Sequence, residues 1–192
     1  SFAAFLLGGA LAVSGYVLQT FFHNPIAGPF VLGISSGAKM AVALTMIVFL
    51  KYVGHFSSYT LVVAAFIGSL ISTGFILLMS KKIHHMASLL VGGIMIGYIC
   101  SAITDFCITF ANDSNIANLT HWAMGSFSGS SWPTVKLAAF IIFPTAIVTF
   151  LFSKPISAYL LGEGYAQSMG INIKFFRVCI VLLSSLLSAC VT

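Results

Sequence analysis

Residues 59–79 read YTLVVAAFIGSLISTGFILLM, a stretch with no charged side chain that is long enough to cross a bilayer as a helix. Similar stretches precede and follow it, separated by short turns rich in Pro, Gly, Asn and His. Charged residues make up 6% of the chain and the mean hydropathy is +1.10, whereas soluble proteins carry about 25% charged residues. The composition therefore predicts a membrane protein and excludes a soluble globular domain.

The apolar stretches predict an all-α, polytopic membrane helix bundle with six spans, the last of them truncated. Each is close to the length that crosses about 30 Å of hydrocarbon. We expect residues 1–192 to form one transmembrane domain of a larger protein, with further spans before and after this sequence. The predicted spans are Phe2–Leu18, Val31–Val53, Tyr59–Met79, Ser88–Ala111, Val135–Phe152 and a segment that begins near Phe176.

Basic residues separate the connections between spans into two sets. One set is residues 19–29, 80–86 and 153–175, and the other is residues 54–58 and 112–134. Lysine and arginine concentrate in or beside the first set, which predicts that it faces the cytoplasm of a multi-pass plasma-membrane protein. Since the bases neither share one face nor alternate with stacking aromatics, the net charge of +5 does not indicate nucleic acid. The basic residues of the first set are Lys39, Lys81, Lys82, Lys154, Lys174 and Arg177, and those of the second are Lys51 and Lys136.

Small residues recur at four-residue intervals on two spans. Such rows let helix backbones touch in lipid, where apolar side chains gain little from contact with one another. Two interpretations stay open: tight structural packing, or a smooth wall along a passage. The rows are Gly33, Gly37 and Ala41 on the second span, and Gly93, Gly97 and Ser101 on the fourth.

Four phrases occur in a fixed order along the chain. They are residues 9–15 (GALAVSG), 24–29 (NPIAGP) with 32–38 (LGISSGA), 122–129 (WAMGSFSG) with Trp132, and 161–171 (LGEGYAQSMGI). Together they resemble the permease subunits of ABC importers for iron–siderophores, haem and cobalamin, the FecCD-type family. The resemblance covers essentially the whole chain.

The resemblance implies a transport subunit rather than an enzyme. It implies a homodimer of permease copies in the lipid bilayer of a bacterial or archaeal cytoplasmic membrane. Two cytoplasmic ABC ATPase subunits would hydrolyse the ATP, and an external solute-binding protein would deliver a metal chelate of the siderophore, haem or corrinoid type. The cargo within that class is not specified by the sequence.

The connection 153–175 is long enough to indicate a purpose. Pro155 predicts a short helix over Ile156–Leu161, residues 162–164 predict a break, and a second short helix over Tyr165–Met169 should end at Gly170. By resemblance these helices dock in a groove on the ATPase, the alternative being a plain interfacial helix. Glu163 is expected to cap or pair rather than to catalyse. The candidate coupling residues are Leu161, Gly162, Glu163, Tyr165, Ala166, Ser168, Met169 and Gly170.

The entry to the fourth span is where the resemblance places a cytoplasmic gate. The candidate gate and pathway residues are His85, Met86, Ala87, Ser88, Gly93, Gly97 and Ser101. His84 and His85 do not predict a metal site, because adjacent helical side chains point about 100° apart and no third ligand is nearby.

Three residues are candidates for the side that receives the binding protein. Asp105 is an acid near the outer end of the fourth span, and it either contacts the substrate or binding protein or has a solvated structural role. Trp122 and Trp132 fit an aromatic belt at the membrane interface.

No catalytic or cofactor-binding pattern is found. H-E-x-x-H and close pairs of acids do not occur in the sequence, and Gly33–Lys39 has the wrong spacing for a nucleotide-binding loop. The four cysteines sit inside apolar runs without a C-x-x-C pair. An ion-coupled secondary transporter remains the alternative, although it would favour charged residues at mid-membrane. An intramembrane enzyme would need paired catalytic groups at one depth.

Overall fold

The computed structural model describes residues 1–49, 58–80, 82–83, 85–125, 127 and 132–192, and every regular element within these ranges is helical. The helices are α1 (Phe2–Phe22), α2 (Ile34–Leu44) with a π-helical turn (Thr45–Phe49), α3 (Ser58–Ser80), α4 (Met86–Thr109), α5 (Asp113–Met124), α6 (Trp132–Leu151), α7 (Ser153–Leu160), α8 (Glu163–Ser168) and α9 (Ile173–Ala189). The predicted all-α class is confirmed.

Four of the predicted spans are long, apolar helices. Within the described ranges, α1, α3, α4 and α6 have the length and composition to cross a membrane. The second predicted span contains a shorter apolar helix, Ile34–Ile47, and residues 50–53 lie outside the described part. The sixth begins at Ile173, earlier than predicted, because the Asn172 side chain accepts a hydrogen bond from the Phe175 amide (3.2 Å) and caps α9.

The first span runs past Leu18 and ends at a tight corner. His23 has a left-handed backbone (φ 49°), and the Asn24 amide donates to the Gln19 carbonyl (3.1 Å), which closes the end of α1. The Asn24 side chain then accepts from the Ile26 amide (2.9 Å). Since Pro25 cannot continue a helix, the chain reverses here, as the Asn-Pro pair predicts.

Helix α2 packs on α3 through glycine. A Cβ added at Gly37 would meet the Ser72 hydroxyl, and one added at Gly68 would meet both the Gly37 carbonyl and the Ala41 Cβ. The two backbones are therefore in direct contact at this crossing, which only small residues permit.

The N-terminal end of α2 packs on α4 in the same way. Gly33 has φ 72°, and a Cβ there would lie 2.7 Å from the Gly97 nitrogen. A Cβ at Gly93 would lie 2.7 Å from the Leu32 Cδ2 atom. Helix packing thus involves Gly33 and Gly37 of the first small-residue row and Gly93 and Gly97 of the second.

Helix α9 lies against α1, α3 and α6. Its buried contact with α1 includes a hydroxyl pair, in which the Ser14 and Ser184 oxygens are 2.7 Å apart. Each of these hydroxyls also lies within hydrogen-bond distance of the other residue's carbonyl oxygen, at 2.9 and 3.2 Å, so its single proton serves one contact at a time. Such interhelical hydrogen bonds contribute roughly 0.6–2 kcal/mol in a membrane.

One apolar cluster, the basal core, joins the three connections that were predicted to share a side. Its buried members include Phe21, Ala27, Leu32, Leu89, Ile156, Tyr159, Ala166 and Phe176, and Ile83 packs against it. These residues come from the corner after α1, the turn before α4 and the α7–α8 segment. The connections that the basic residues assign to one side of the membrane therefore lie together at one end of the bundle.

The opposite end of the bundle contains a helix that the sequence did not predict. Helix α5 occupies the start of the outer connection, and its Leu119 is buried while Trp122 is half-buried. Both pack in a cluster with Val42, Ala65 and Cys107 from the spanning helices. The first part of this connection is thus an ordered cap on the bundle.

The glycine crossing of α2 and α3 gives a stability prediction. Gly68→Ala forces a methyl group against the partner backbone, and we expect it to lower the free energy of unfolding by about 1–3 kcal/mol. Gly74→Ala is the matched control, because an added Cβ there meets nothing within 4 Å; it should be neutral or stabilising by up to ~1 kcal/mol. Thermal unfolding in detergent measures both variants. Equal melting temperatures for the two would contradict direct backbone contact at this crossing.

Candidate functional site

The segment between α6 and α9 folds as two short helices with a sharp break. Pro155 sits in the first turn of α7, where proline is tolerated. The helix begins at Ser153 rather than Ile156, which corrects the prediction. The break is confined to Leu161 and Gly162 (φ 119°), since α8 already begins at Glu163.

The second short helix ends as predicted, at a left-handed glycine. Gly170 has φ 84°, and its amide donates to the Gln167 carbonyl (2.9 Å). The next amide, that of Ile171, donates to the Ala166 carbonyl (3.1 Å). These bonds satisfy the last carbonyls of α8 and turn the chain toward α9.

The inner face of the segment is fixed to the spanning helices by Tyr159. This side chain is 1% exposed. Its ring centre lies 5.9 Å from that of Phe21 and 5.3 Å from that of His23, both at the end of α1, and 5.1 Å from that of Phe176 in α9. Aromatic pairs at these separations contribute about 0.5–1.5 kcal/mol each beyond their burial. Tyr159 therefore connects α7 to two spanning helices at once.

An ion pair makes a second connection, from α8 to α9. The Arg177 Nη2 atom donates to the Glu163 Oε1 atom at 2.6 Å. The Arg177 side chain is 10% exposed and the Glu163 side chain 42%. The buried Arg177 Nε has no hydrogen-bond partner within the described ranges, and leaving such a donor unpaired costs about 1–3 kcal/mol. Glu163 thus pairs with Arg177, which is one of the two roles that the sequence predicted for it.

The Tyr159 hydroxyl lies in the field of this ion pair. Burial, with a further contribution from the Glu163 carboxylate, raises the pKa of Tyr159 to about 12, against the opposing effect of Arg177. The phenol therefore stays neutral throughout the physiological range. Tyr159 acts as a packing group, and the charges at this junction are those of Glu163 and Arg177.

The α7–α8 segment exposes four large apolar side chains, which together we call the coupling face. They are Leu160 (46% exposed), Leu161 (70%), Tyr165 (49%) and Met169 (61%). Tyr165 and Met169 are four residues apart and so share one side of the α8 turn. Apolar groups clustered outside the spanning helices mark an interaction surface.

The structure divides the predicted coupling residues by role. Leu161, Tyr165 and Met169 lie on the coupling face, whereas Ala166 is fully buried in the basal core. Gly162 and Gly170 form the turns. Ser168 is exposed, and its hydroxyl donates to the Tyr165 carbonyl (2.8 Å).

The predicted gate residues occupy the start of α4. His85 is the residue before the helix, with an extended backbone, and it is exposed, as are Ala87 and Ser88. Met86 is half-buried and packs against the basal core. Further along α4, Ser101 is exposed, in contrast to the covered glycines Gly93 and Gly97 of the same row.

His84, which precedes His85 in the sequence, lies outside the residues that the structure describes. Among those that are described, no group of three His, Cys, Asp or Glu side chains is placed to hold a metal ion.

The predicted outer residues lie at the end of the bundle away from the basal core. Asp105 is exposed in the last turn of α4, where its carbonyl accepts from the Thr109 hydroxyl (3.2 Å). Trp132 begins α6, is 70% exposed and stacks on Phe2, with ring centres 6.5 Å apart. Trp122 lies in α5 and is half-buried.

The sequence did not predict the packing of Tyr159 against α1 and α9, or the pairing of Arg177 with Glu163. A signal existed for the second: a base at the head of an apolar run needs a partner, and Glu163 is the single acid in the adjoining connection. Tyr159 gave no such signal, because the partners of an aromatic residue in a short helix depend on how that helix folds back.

Comparison with known proteins gives concordant matches. The sequence profile of the FecCD transport family matches residues 1–192. The hemin transport system permease protein HmuU of Yersinia pestis is 35% identical over 185 residues, 96% of this chain and 55% of its own. The vitamin B12 import system permease protein BtuC of Salmonella paratyphi A is 35% identical over 180 residues, 94% of this chain and 54% of its own.

A solved structure agrees in fold. It shows an inward-facing conformation of a metal-chelate type ABC transporter, and it superposes with a TM-score of 0.88 at 25% identity, covering 98% of this chain and 59% of that one. The chain spans about half the length of the curated relatives it matches. Because four helices in the described ranges are long and apolar enough to cross a membrane, it is a multi-pass membrane protein. The chain belongs to the FecCD transport family.

Proposed function

We propose that this chain forms part of the permease subunit of an ATP-driven importer. The observation that carries the proposal is the α7–α8 segment, which presents an apolar coupling face outward while its inner face is fixed to α1 and α9. Such a segment can pass a displacement from a bound partner protein to the spanning helices. The residues 1–192 then belong to a single transmembrane permease domain that includes the connection 153–175.

The cargo class follows from the relatives. One is named for hemin, another for vitamin B12, and the solved structure for a metal chelate. We assign a metal chelate of the haem, corrinoid or siderophore type to this chain, carried from an external binding protein to the cytoplasm.

A pair of cytoplasmic ATPase subunits is the partner proposed for the coupling face. Leu161, Tyr165 and Met169 would enter an apolar groove on the ATPase, since exposed apolar side chains gain free energy when a partner removes them from water. A displacement of α7 passes to α1 through the contact of Tyr159 with Phe21.

The second permease copy is proposed to face the start of α4. Ala87 and Ser88 are exposed there and small, so two copies of this helix can approach closely. A tilt of α4 would widen or narrow the passage between them. At the other end, Asp105, Trp122 and Trp132 are the proposed surface for the binding protein.

The ion-coupled transporter is the weaker alternative. The sequence contains three acidic residues in all, and none stands in the middle of a span: Asp105 is near the end of α4, Asp113 begins α5 and Glu163 begins α8. Ion coupling through carboxylates within the membrane therefore has no candidate here.

Docking at the coupling face gives the first functional prediction. Replacing Tyr165 and Met169 with aspartate introduces charge where an apolar groove should close, so copurification of the ATPase should fall about tenfold or more, which corresponds to ~1.4 kcal/mol or more. Gln167→Asp is the matched control, because Gln167 is exposed on another side of α8. ATPase retention by a chain with residues 165–169 scrambled would disprove the assignment.

Transmission through Tyr159 gives a second prediction. Tyr159→Ala removes a buried ring, a change that typically costs about 3–5 kcal/mol, and should release the α7–α8 segment from the bundle. We expect faster proteolysis between residues 153 and 172 and loss of transport in vesicles. Tyr159→Phe preserves the ring contacts and should behave nearly as the natural protein; equal protease resistance of the alanine variant would argue against the anchor.

The gate gives a third prediction. In a background without the four natural cysteines, a cysteine at Ala87 should crosslink across the dimer and block transport, because α4 can no longer tilt. Reduction should restore transport, which controls for damage to the fold. Full transport by the crosslinked form would remove this segment from the pathway.

A further inference from the structure

The Arg177 guanidinium and the Glu163 carboxylate form one hydrogen bond, although these two groups can form two in parallel. The single contact joins Nη2 to Oε1, and the adjacent Arg177 Nε is buried with no partner in the described part of the chain. The Nε–H and Nη–H of a guanidinium point in parallel and match the two oxygens of a carboxylate. The structure therefore records an incomplete form of a two-contact pair.

The two partners differ in their freedom to move. Arg177 is held in α9, where it is 8% exposed and follows the buried Phe176. Glu163 is the first residue of the short helix α8, directly after the break at Gly162, and its side chain is 42% exposed. A small rotation of α8 would therefore change the pairing by moving Glu163 and leaving Arg177 in place.

Within residues 1–192, Arg177 has no other acid to pair with. Asp105 and Asp113, the remaining acids of the sequence, lie in the last turn of α4 and the first turn of α5, at the opposite end of the bundle. The Tyr159 phenol beside the pair is neutral at physiological pH, as described above. Among residues 1–192, the position of α8 therefore decides whether Arg177 makes one contact or two.

We propose that Arg177 and Glu163 form a two-position latch between the coupling segment and α9. The single contact seen here is one position, and the other is a two-contact pair through Nε and Nη2, reached when a partner displaces α8. This proposal rests on the proposed function, because an ATPase at the coupling face supplies the displacement. Arg177 is a positioning residue: because it is bonded to Glu163, a shift of α8 displaces α9.

The test uses the natural full-length permease, assembled with its ATPase subunits in proteoliposomes. Arg177→Lys keeps the charge and removes the parallel pair of donors. We expect it to retain the ATPase while the cargo transported per ATP hydrolysed falls about tenfold, a size typical of a lost charge-assisted contact. Lys174→Gln is the matched control, since it removes an exposed charge from the same turn of α9, and it should couple normally.

Glu163→Gln provides a second variant that is easier to fold, because its side chain is partly exposed. It keeps an acceptor for the single contact and weakens the second, so it should fold and retain the ATPase while it shows the same loss of coupling. Normal coupling in either the Lys or the Gln variant overturns the latch while leaving the proposed function intact. Failure of the natural protein to retain the ATPase would instead overturn the proposed function.

Discussion

Direct backbone contact between helices is the constraint on which this fold depends. In lipid, apolar side chains gain little by leaving the acyl chains for one another, so helices associate where they fit closely. Helix α2 meets two of its neighbours at glycine, α3 at Gly68 and α4 at Gly97. Because these crossings fix α2, they also fix the corner that precedes it, and the corner contributes Ala27 and Leu32 to the basal core.

The basal core then decides how the coupling segment is held. Residues from the corner, from α9 and from α7–α8 share one buried cluster, so the segment is continuous with the spanning helices rather than suspended between two flexible linkers. Tyr159 provides the packing contact and the Glu163–Arg177 pair the polar one. A short segment with two attachments of different chemistry can tilt about the apolar one while the polar one changes its geometry.

The sequence predicted those features that follow from local chemistry. Four spans, the Asn24–Pro25 corner, the packing of Gly33 and Gly37 and the two short helices followed from apolar length, proline, glycine and residue spacing. It did not predict α5, because its amphipathic pattern is weak and its buried side depends on Leu119 meeting α2 and α4. Nor did it separate the covered Gly93 and Gly97 from the exposed Ser101, since the neighbour that covers a helix face comes from elsewhere in the chain.

The coupling segment also has a consequence for how such proteins diverge. Its inner side chains contact residues of the same chain, whereas the partner proposed for Leu160, Leu161, Tyr165 and Met169 is encoded by another gene. Substitutions on the inner side must be compensated within the chain, and under this proposal those on the outer side would be compensated within the partner. Exchanging these four outer residues between relatives is therefore the smallest change expected to transfer recognition of one ATPase to another while the scaffold stays intact.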